Sequence, residues 1–286
     1  LFKSNIRHIL VRHEQSAAHM ADGFGRVSRK PGVCFATSGP GATNLLTGIA
    51  TAQADSAPMI AITGQVPVKM IGKDAFQESD IIGMANPCVK YSFQPRDASE
   101  IPETVRKGFY IASTGRPGPV LIDIPKDVQQ NEAPMTFPEE FKIRGYHPWM
   151  DPDIVQIEKA IDMLLGAEKP IILAGGGVII SSAFAELQSI AELLMIPVVT
   201  TFKGKGSFPE NHPLSLGPIG MHGHAEANKL MTEADCVLAI GTRFSDRSVG
   251  TFEEFEKRLK IIHMDVDPAE IGKNQTTSIA VVGDVQ

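Results

Sequence analysis

The sequence predicts an α/β protein made of two doubly wound parallel-sheet domains. Short apolar runs rich in Val and Ile alternate with helix-length segments, which is typical of parallel sheets covered by helices on both faces. The alternation stops once, over residues 126–152, where the sequence is Pro-rich, charged and aperiodic. A length of 286 residues also agrees with two domains of about 150 residues each. We therefore expect a first domain at 1–128, a linker at 129–152 and a second domain at 153–286.

The first domain contains four apolar runs that read as buried strands. The helices predicted between them carry small residues along one face, as helices that lie closely on a sheet do. The predicted strands are RHILV (7–11), VCFAT (33–37), PMIAIT (58–63) and PVLIDI (119–124), and the predicted helices cover 13–28, 41–54 and 98–113.

The second domain repeats this alternation without repeating the sequence itself. Its predicted helices cover 153–165, 181–194 and 223–233, and its predicted strands are PIILAG (170–175), PVVTT (197–201), DCVLAIG (235–241) and KIIHMDV (260–266).

Composition excludes several classes of function. The 27 Lys and Arg against 33 Asp and Glu give a formal net charge of −6, which argues against a nucleic-acid or membrane partner. No apolar run reaches the roughly 18 residues that a membrane helix needs. The 3 cysteines lie far apart and form no CxxC motif, so we expect a reducing, cytoplasmic compartment. The pair His222 and His224 lacks a metal-ligand spacing, and no metal site is predicted.

Loops after strands of the second domain have the chemistry of a nucleotide site. Gly175, Gly176 and Gly177 stand between a strand and a helix, where a phosphate can approach the backbone. Arg243 and Arg247 could meet a pyrophosphate, and Asp265 ends a strand where a carboxylate could bind a ribose or adenine. Taken singly, the glycines also fit a plain tight turn and each arginine a surface ion pair. Their convergence at strand ends favours a nucleotide.

The first domain holds a different group of residues. Glu14 stands where a strand passes into a helix, which suits either a catalytic carboxylate or a partner for the helix dipole. The segment SGPGATN (38–44) is another strand-to-helix turn. Its glycines fit a ligand near the backbone, and a structural turn with Asn44 as a cap is equally consistent.

Six motifs together resemble one known family. They are RHEQSAAHMADGFGR (12–26), SGPGATN (38–44), AITGQVPVKMIGKDAFQE (61–78), GRPGPVLIDIPKD (115–127), IGMHG (219–223) and RFSDR (243–247). In order and spacing they are similar to the catalytic subunit of the acetohydroxyacid synthase family of thiamine-diphosphate-dependent enzymes. The resemblance implies a pyrimidine-binding domain followed by a central FAD-binding domain. The family's third domain, which binds diphosphate, has no counterpart in these residues, and we expect a fragment that is inactive alone.

The resemblance assigns roles to individual residues. Glu14 matches the glutamate that hydrogen-bonds the aminopyrimidine ring of thiamine diphosphate, and a substrate channel is matched by Pro67, Phe76, Gln77 and Lys126. The positions that match FAD contacts are Arg116, Gly175, Gly176, Gly177, Thr201, His222, Arg243, Arg247, Asp265 and Asp284.

The same resemblance implies an activity and partners. The family joins pyruvate, after decarboxylation, to pyruvate or 2-oxobutyrate in branched-chain amino acid biosynthesis. Its cofactors are thiamine diphosphate, Mg²⁺ held by the third domain, and a structural FAD. A homodimer is its smallest catalytic unit, and the sequence leaves a regulatory small subunit open.

Two alternatives remain at the level of sequence. One is another thiamine-diphosphate-dependent carboligase or decarboxylase, against which RFSDR and the GGG turn favour the FAD type. Glu14 argues against a glyoxylate carboligase. The other alternative is a short flavin-binding paralogue without catalysis. Ser245 stands where the family often has Asp, and Phe202 and Lys203 also depart from its pattern, which weakens the detailed FAD assignment.

Overall fold

The computed structural model describes residues 4–148, 151–249 and 259–285. The chain divides into two compact units, residues 1–148 and 149–286, and the division falls inside the segment predicted as a linker. Among the described residues, no helix is long and apolar enough to cross a membrane.

The first unit is built on a four-stranded parallel sheet in the order β1-β2-β4-β3. The strands are β1 (Gly32–Ala36), β2 (Met59–Gln65), β3 (Tyr91–Phe93) and β4 (Pro119–Pro125). The two central strands, β2 and β4, are almost continuously apolar because both of their faces are buried. On β4, Leu121 belongs to the core on one face, and Val120 and Ile122 belong to the core on the other.

Helices cover both faces of this sheet. They are α1 (Glu14–Ser28), α2 (Pro40–Asn44), α3 (Leu46–Ala54), α4 (Ile81–Ala85), α5 (Ile101–Ser113) and α6 (Lys126–Gln130). The helix predicted at 41–54 is thus two helices that meet at Leu45. Short 3₁₀ turns lie at Val68–Met70, Asn86–Cys88 and Ala98–Glu100.

The strand predicted at residues 7–11 is wrong. This segment has no regular structure, and its apolar side chains are exposed, Ile9 by 61% and Leu10 by 93%. An apolar run becomes a strand only where a neighbour pairs with its backbone. Among the described residues, the sheet of this unit contains β1 to β4 and no strand paired with residues 7–11.

Part of the predicted linker packs on the first unit. The Tyr146 hydroxyl lies 2.8 Å from Thr114 Oγ1, and the Arg106 guanidinium donates to the backbone carbonyls of Pro138 and Glu139. Phe141 and Tyr110 meet edge to face at 5.3 Å. Residues 138–146 are therefore held along α5 although their sequence is aperiodic.

The second unit contains a six-stranded parallel sheet in the order β10-β9-β8-β5-β6-β7. The strands are β5 (Pro170–Ala174), β6 (Val198–Thr200), β7 (Ser215–Pro218), β8 (Cys236–Ile240), β9 (Lys260–Asp265) and β10 (Ile279–Val282). Two cores cover its faces, and β5 alternates between them. Ile172 and Ala174 belong to one core, and Ile171 and Leu173 to the other.

The helices of the second unit are α7 (Ile154–Leu165), α8 (Gly176–Ser181), α9 (Phe184–Leu194), α10 (Ala225–Glu233) and α11 (Asp246–Val249), with a 3₁₀ turn at Phe202–Gly204. The helix predicted at 181–194 lies mostly in α9. Ser182, with φ of 65°, separates it from α8. The parallel α/β class predicted for both domains is confirmed, and β3, β7 and β10 are additional to the predicted strands.

Candidate functional site

Glu14 begins α1 beside the turn that follows β1. Its Oε2 accepts a hydrogen bond of 3.0 Å from the side-chain amide of Asn44, the last residue of α2. This hydrogen bond is the main reason why the pKa of Glu14 lies below its ordinary value, followed by a hydrogen bond from its own backbone. The carboxylate is partly exposed and ionised at neutral pH. Glu14 can therefore accept a further donor while Asn44 fixes its orientation.

Two glycines of the SGPGATN turn allow this turn to approach other predicted site residues. Gly39 has φ of 62° and ψ of −125°, which residues with a side chain rarely adopt, and a Cβ there would lie 2.8 Å from the backbone oxygen of Gln77. A Cβ on Gly41 would lie 2.7 Å from Thr37 Cγ2 and 3.3 Å from Glu14 Oε1. Internal contacts thus account for both glycines. They bring Glu14 and Gln77 to the same turn.

The segment between β2 and α4 that carries the predicted channel residues is called the 66–79 loop. Its two ends are joined by the side-chain amide of Gln65. The Oε1 of Gln65 accepts the Val66 N–H at 2.9 Å, and its Nε2 donates to the Ser79 carbonyl at 2.9 Å. One amide therefore closes the loop at its base.

Pro67 and Lys126 are brought close by a contact between their neighbours. The Val68 N–H donates to both carboxylate oxygens of Asp127, at 3.1 and 3.2 Å. Pro67 precedes that N–H, and the exposed Lys126 begins α6 just before Asp127. This contact thus joins the two segments that carry Pro67 and Lys126.

Phe76 and Gln77 lie on the outer part of the 66–79 loop. The Phe76 side chain is 90% exposed, and Gln77 has φ of 58°. The Glu78 carboxylate accepts the backbone N–H groups of Gly72 and Ala75, which lowers the pKa of Glu78. The loop is thus ordered by its own hydrogen bonds and presents Phe76 to solvent.

A buried carboxylate near the base of this loop was missed by sequence analysis. Asp123 on β4 is fully buried and accepts hydrogen bonds from Thr63 (2.7 Å), Gln65 (3.0 Å) and Gln94 (2.8 Å). Burial raises the pKa of Asp123 above its ordinary value, against the three hydrogen bonds, which lower it. A signal existed, because Thr63, Gln65 and Asp123 are polar residues inside strands that otherwise read as buried.

Arg116 lies away from the residues around Glu14. It precedes β4, and its Nε donates to Ser56 Oγ at 2.9 Å, which in turn precedes β2. Parallel strands place their amino ends at one edge of a sheet and their carboxyl ends at the other. Arg116 therefore belongs to the edge opposite Gln65 and the 66–79 loop.

In the second unit, the GGG turn lies at the point where the strand order reverses. From β5 the chain proceeds to β6 and β7 on one side of the sheet, and then to β8, β9 and β10 on the other. The carboxyl ends of β5 and β8 therefore flank the switch point, where open parallel sheets bind ligands. Residues Gly175–Gly177 and Gly241–Arg243 follow these two ends.

Packing explains two of the three glycines in this turn. A Cβ on Gly175 would lie 2.1 Å from the backbone oxygen of Gly241, and a Cβ on Gly177 would lie 2.5 Å from the Gly241 Cα. The helix that follows, α8, has only 6 residues. The close approach of two backbones, and not a phosphate, is the structural reason for glycine at both positions.

The remaining residues predicted to contact FAD in this unit all follow carboxyl ends of its strands. Their order along the chain is Thr201 after β6, His222 after β7, Arg243 and Arg247 after β8, Asp265 at the end of β9, and Asp284 after β10. Parallel pairing throughout the sheet places these ends at one edge. The structure thus gathers the residues that the sequence places as much as 109 positions apart, from Gly175 to Asp284.

Internal contacts already engage several of these side chains. Thr201 Oγ1 accepts the Gly204 N–H at 3.0 Å, and Asp265 Oδ1 accepts the Asp267 N–H at 2.9 Å. Arg247 is exposed and lies 3.5 Å from the carboxylate of Asp246, as the ion-pair alternative expected. The Arg247 guanidinium also lies 3.8 Å from the Met221 sulfur, and these two contacts do not use all of its donors. Among the described residues, no cluster of His, Cys, Asp or Glu is arranged to hold a metal ion.

Comparison with known proteins identifies the family. Residues 1–84 match the family described as "Thiamine pyrophosphate enzyme, N-terminal TPP binding domain", and residues 157–286 match "Thiamine pyrophosphate enzyme, central domain". The chain belongs to the thiamine pyrophosphate enzymes. Both matches agree with the two parallel-sheet units, and together they cover most of the sequence.

Several curated relatives of this thiamine pyrophosphate enzyme share about half of its residues. The chain is 56% identical to a "Probable acetolactate synthase large subunit" of Methanocaldococcus jannaschii over 100% of its length. It is 52% identical to an "Acetolactate synthase" of Arthrospira platensis over 98%, and 48% identical to one of Mycobacterium bovis over 100%. These alignments cover 49%, 49% and 46% of the relatives, so the chain spans about half the length of the curated relatives it matches.

The first unit of this thiamine pyrophosphate enzyme has groups that fit the pyrimidine end of thiamine diphosphate. Glu14 offers a charged, oriented and partly exposed acceptor, which suits a ring nitrogen that carries a proton. Gly41 leaves the space beside Oε1 without a side chain. Glu14, Pro67, Phe76 and Gln77 lie inside the matched N-terminal domain, whereas Arg116 and Lys126 lie outside both matched segments.

Proposed function

We propose that this chain works in an acetolactate synthase, in which a 2-oxo acid is decarboxylated and joined to a second one in branched-chain amino acid biosynthesis. The names and identities of the relatives support this activity. The observation on which the proposal depends is the carboxylate of Glu14, held by Asn44 beside a glycine turn in the domain that matches the thiamine-diphosphate-binding family.

Glu14 is the residue to which we assign the catalytic role. Thiamine diphosphate, when bound, supplies the carbanion chemistry that decarboxylation of a 2-oxo acid requires. Glu14 would hold a proton between its free oxygen position and the pyrimidine ring nitrogen, and Asn44 would keep the carboxylate oriented during that exchange. Because its pKa is lowered, Glu14 is a carboxylate before this interaction, so the shared proton would be one taken up from solvent as the ring binds.

Pro67, Phe76, Gln77 and Lys126 would guide the 2-oxo acid to this centre. Lys126 supplies a positive charge suited to a carboxylate substrate, and the exposed Phe76 supplies an apolar wall for the alkyl group. Pyruvate is the proposed donor, and pyruvate or 2-oxobutyrate the proposed acceptor.

The second unit would hold FAD along the carboxyl edge of its sheet. Arg243 and Arg247 follow the strand at the switch point and match the charge of a pyrophosphate, and Asp265 offers acceptors for a ribose. His222, Thr201 and Asp284 complete this edge. FAD has a structural role in the proposal, because joining two 2-oxo acids with loss of CO₂ involves no net redox change.

Mg²⁺ and partner subunits also belong to the proposal. Mg²⁺ accompanies the diphosphate group, which we assign to residues other than those of this chain. A homodimer would be the catalytic unit, with a regulatory small subunit as a further partner. We place the enzyme in the cytoplasm, because Cys34, Cys88 and Cys236 are all free thiols.

The test is the variant Glu14→Gln in the complete gene product. It keeps the size and the partner of Glu14 and removes the negative charge, and we expect acetolactate formation to fall by about 10²- to 10⁴-fold. FAD absorbance per subunit should stay unchanged. The control variant Glu103→Gln removes a carboxylate from the first turn of α5, where it pairs with Lys107, and should retain full activity. Full activity of Glu14→Gln would exclude the proposed role of Glu14.

A further inference from the structure

Asp123 is a buried carboxylate that the proposed function does not use. Its register partner on β2 is Thr63, and Gln65 follows Thr63 on the same face of that strand. Gln94 comes directly after β3 on the other side of β4. Two neighbouring strands thus direct their polar side chains to one carboxylate in the middle of an apolar sheet.

The donors around Asp123 suit its ionised form. Oδ1 accepts from Thr63, and Oδ2 accepts from both Gln65 and Gln94. An amide nitrogen can only donate, so both glutamines require an acceptor at Oδ2. Among the described residues, these three neutral side chains are the hydrogen-bond partners of Asp123. Each must point inward for the buried charge to be satisfied.

The Gln65 side-chain amide is completely occupied by this arrangement. One Nε2 hydrogen points to Asp123 and the other to the Ser79 carbonyl, while Oε1 accepts the Val66 N–H. A flipped amide would present oxygen to two acceptors and nitrogen to a donor, so only one orientation satisfies all three partners. Asp123 therefore selects the orientation of Gln65 that closes the 66–79 loop.

We propose that Asp123 is a positioning residue, which holds the 66–79 loop through Gln65 and thereby places Phe76 and Gln77 for the 2-oxo acid substrate. The last step rests on the proposed function, whereas the hold on the loop does not. The Gln65 amide bonds both ends of the loop, so its loss would loosen the base from which Phe76 and Gln77 project.

The first experiment measures hydrogen exchange of the loop amides in the 286-residue chain. In Asp123→Leu, no acceptor remains for the amide of Gln65 on this side, so Gln65 loses one of the partners that fix its orientation. Protection of the Val66 N–H should fall by about tenfold or more. Gln65→Met, which removes the joining amide and leaves Asp123 bonded to Thr63 and Gln94, should give the same loss.

Thr63→Val is the matched control. It also deletes a hydrogen bond to buried Asp123 from the same strand, but it does not touch Gln65 or the loop. Its Val66 protection should stay within about twofold of the wild type. Equal loss of protection in Thr63→Val and Asp123→Leu, or unchanged protection in Asp123→Leu, would overturn the inference whatever the enzyme does.

The second experiment measures steady-state kinetics in the complete gene product. A positioning role predicts that Asp123→Leu lowers kcat/KM for pyruvate by about tenfold. The half-saturating concentration of thiamine diphosphate and the FAD content should change by less than about twofold, since Glu14 and the second unit are untouched. A loss of loop protection with unchanged kcat/KM would overturn the substrate step alone, whereas an active Glu14→Gln variant would overturn only the proposed function.

Discussion

The pKa of Glu14 is controlled most by Asn44, whose side-chain amide donates the hydrogen bond that lowers it. The sequence motif singles out both residues but leaves Asn44 equally suited to capping a turn. The structure separates the two readings, because the amide of Asn44 points 30 residues back along the chain to Glu14. The catalytic proposal therefore concerns a pair of residues and not a lone carboxylate.

We expect Asn44→Leu to raise the pKa of Glu14 towards its ordinary value. The measurement is a ¹³C NMR titration of the Glu14 carboxyl group, with Thr43→Val as the neighbouring control, since the Thr43 hydroxyl donates to the Pro40 carbonyl and not to Glu14. A folded-state pKa below the unfolded one stabilises the protein above the unfolded value, and this stability is lost as the pH falls through the folded value. The extra instability of Asn44→Leu should therefore be present at pH 7 and shrink in acid. An unchanged titration curve would show that Asn44 does not control Glu14.

At the scale of elements, α1 and α3 approach each other so closely that glycine is required between them. A Cβ on Gly48 of α3 would lie 2.4 Å from the Cβ of Ala18 and 3.0 Å from its backbone carbon. Gly23 of α1 is also inside a helix, but no atom lies within 4 Å of the position of its missing Cβ. The two glycines therefore have the same helix propensity, but a side chain would be crowded at Gly48 and unhindered at Gly23.

These surroundings predict opposite effects of the same substitution. Gly48→Ala should lower the free energy of unfolding by about 1–3 kcal/mol, because the α1–α3 contact is overpacked. Gly23→Ala should raise it by about 0.5–1 kcal/mol, because alanine favours a helix and meets nothing. Urea unfolding of both variants measures these changes, and equal effects would contradict the close approach of the two helices.

Strands were predicted correctly from sequence where an apolar run also has a neighbouring strand with which its backbone pairs. The buried strands β2, β4, β5 and β8 combine both, and each was found within two residues of its bounds. Residues 7–11 have the composition without a pairing partner among the described residues, and the strand prediction there is wrong. The sequence does not predict β7, because this strand contains Gly217 and Pro218. In the structure it is a strand because its backbone pairs with β6. Asp123 was missed because its donors come from other parts of the chain, two from β2 and one from the residue after β3.

At the scale of the whole molecule, two parallel sheets each bring distant residues to a carboxyl edge, by different means. In the first unit, the turn after β1 and the 66–79 loop meet, and Gly39 and Gln77 are in contact. In the second unit, the reversal of strand order between β5 and β8 defines the place. Motifs could predict both groups of residues, since motif residues cluster after strands. The contacts within each group, such as Gly175 against Gly241, follow only from the fold.

If the second unit holds FAD, the flavin should bind the 286-residue chain and stabilise it. A ligand at about 100 times its Kd adds about 2.7 kcal/mol to the free energy of unfolding, which corresponds to a rise in Tm of several degrees for a chain of this size. Titration should saturate near one FAD per chain, and Arg247→Ala should weaken binding by about tenfold, because an exposed guanidinium at the switch-point edge loses its contact with the pyrophosphate. Lys229→Ala is the matched control, since Lys229 is an exposed cation of the same unit on α10, 3.9 Å from Glu233. Equal FAD affinities of both variants would contradict a contact between the flavin and Arg247. If FAD does not raise the Tm of the folded chain, the assignment of the second unit as a flavin domain is contradicted.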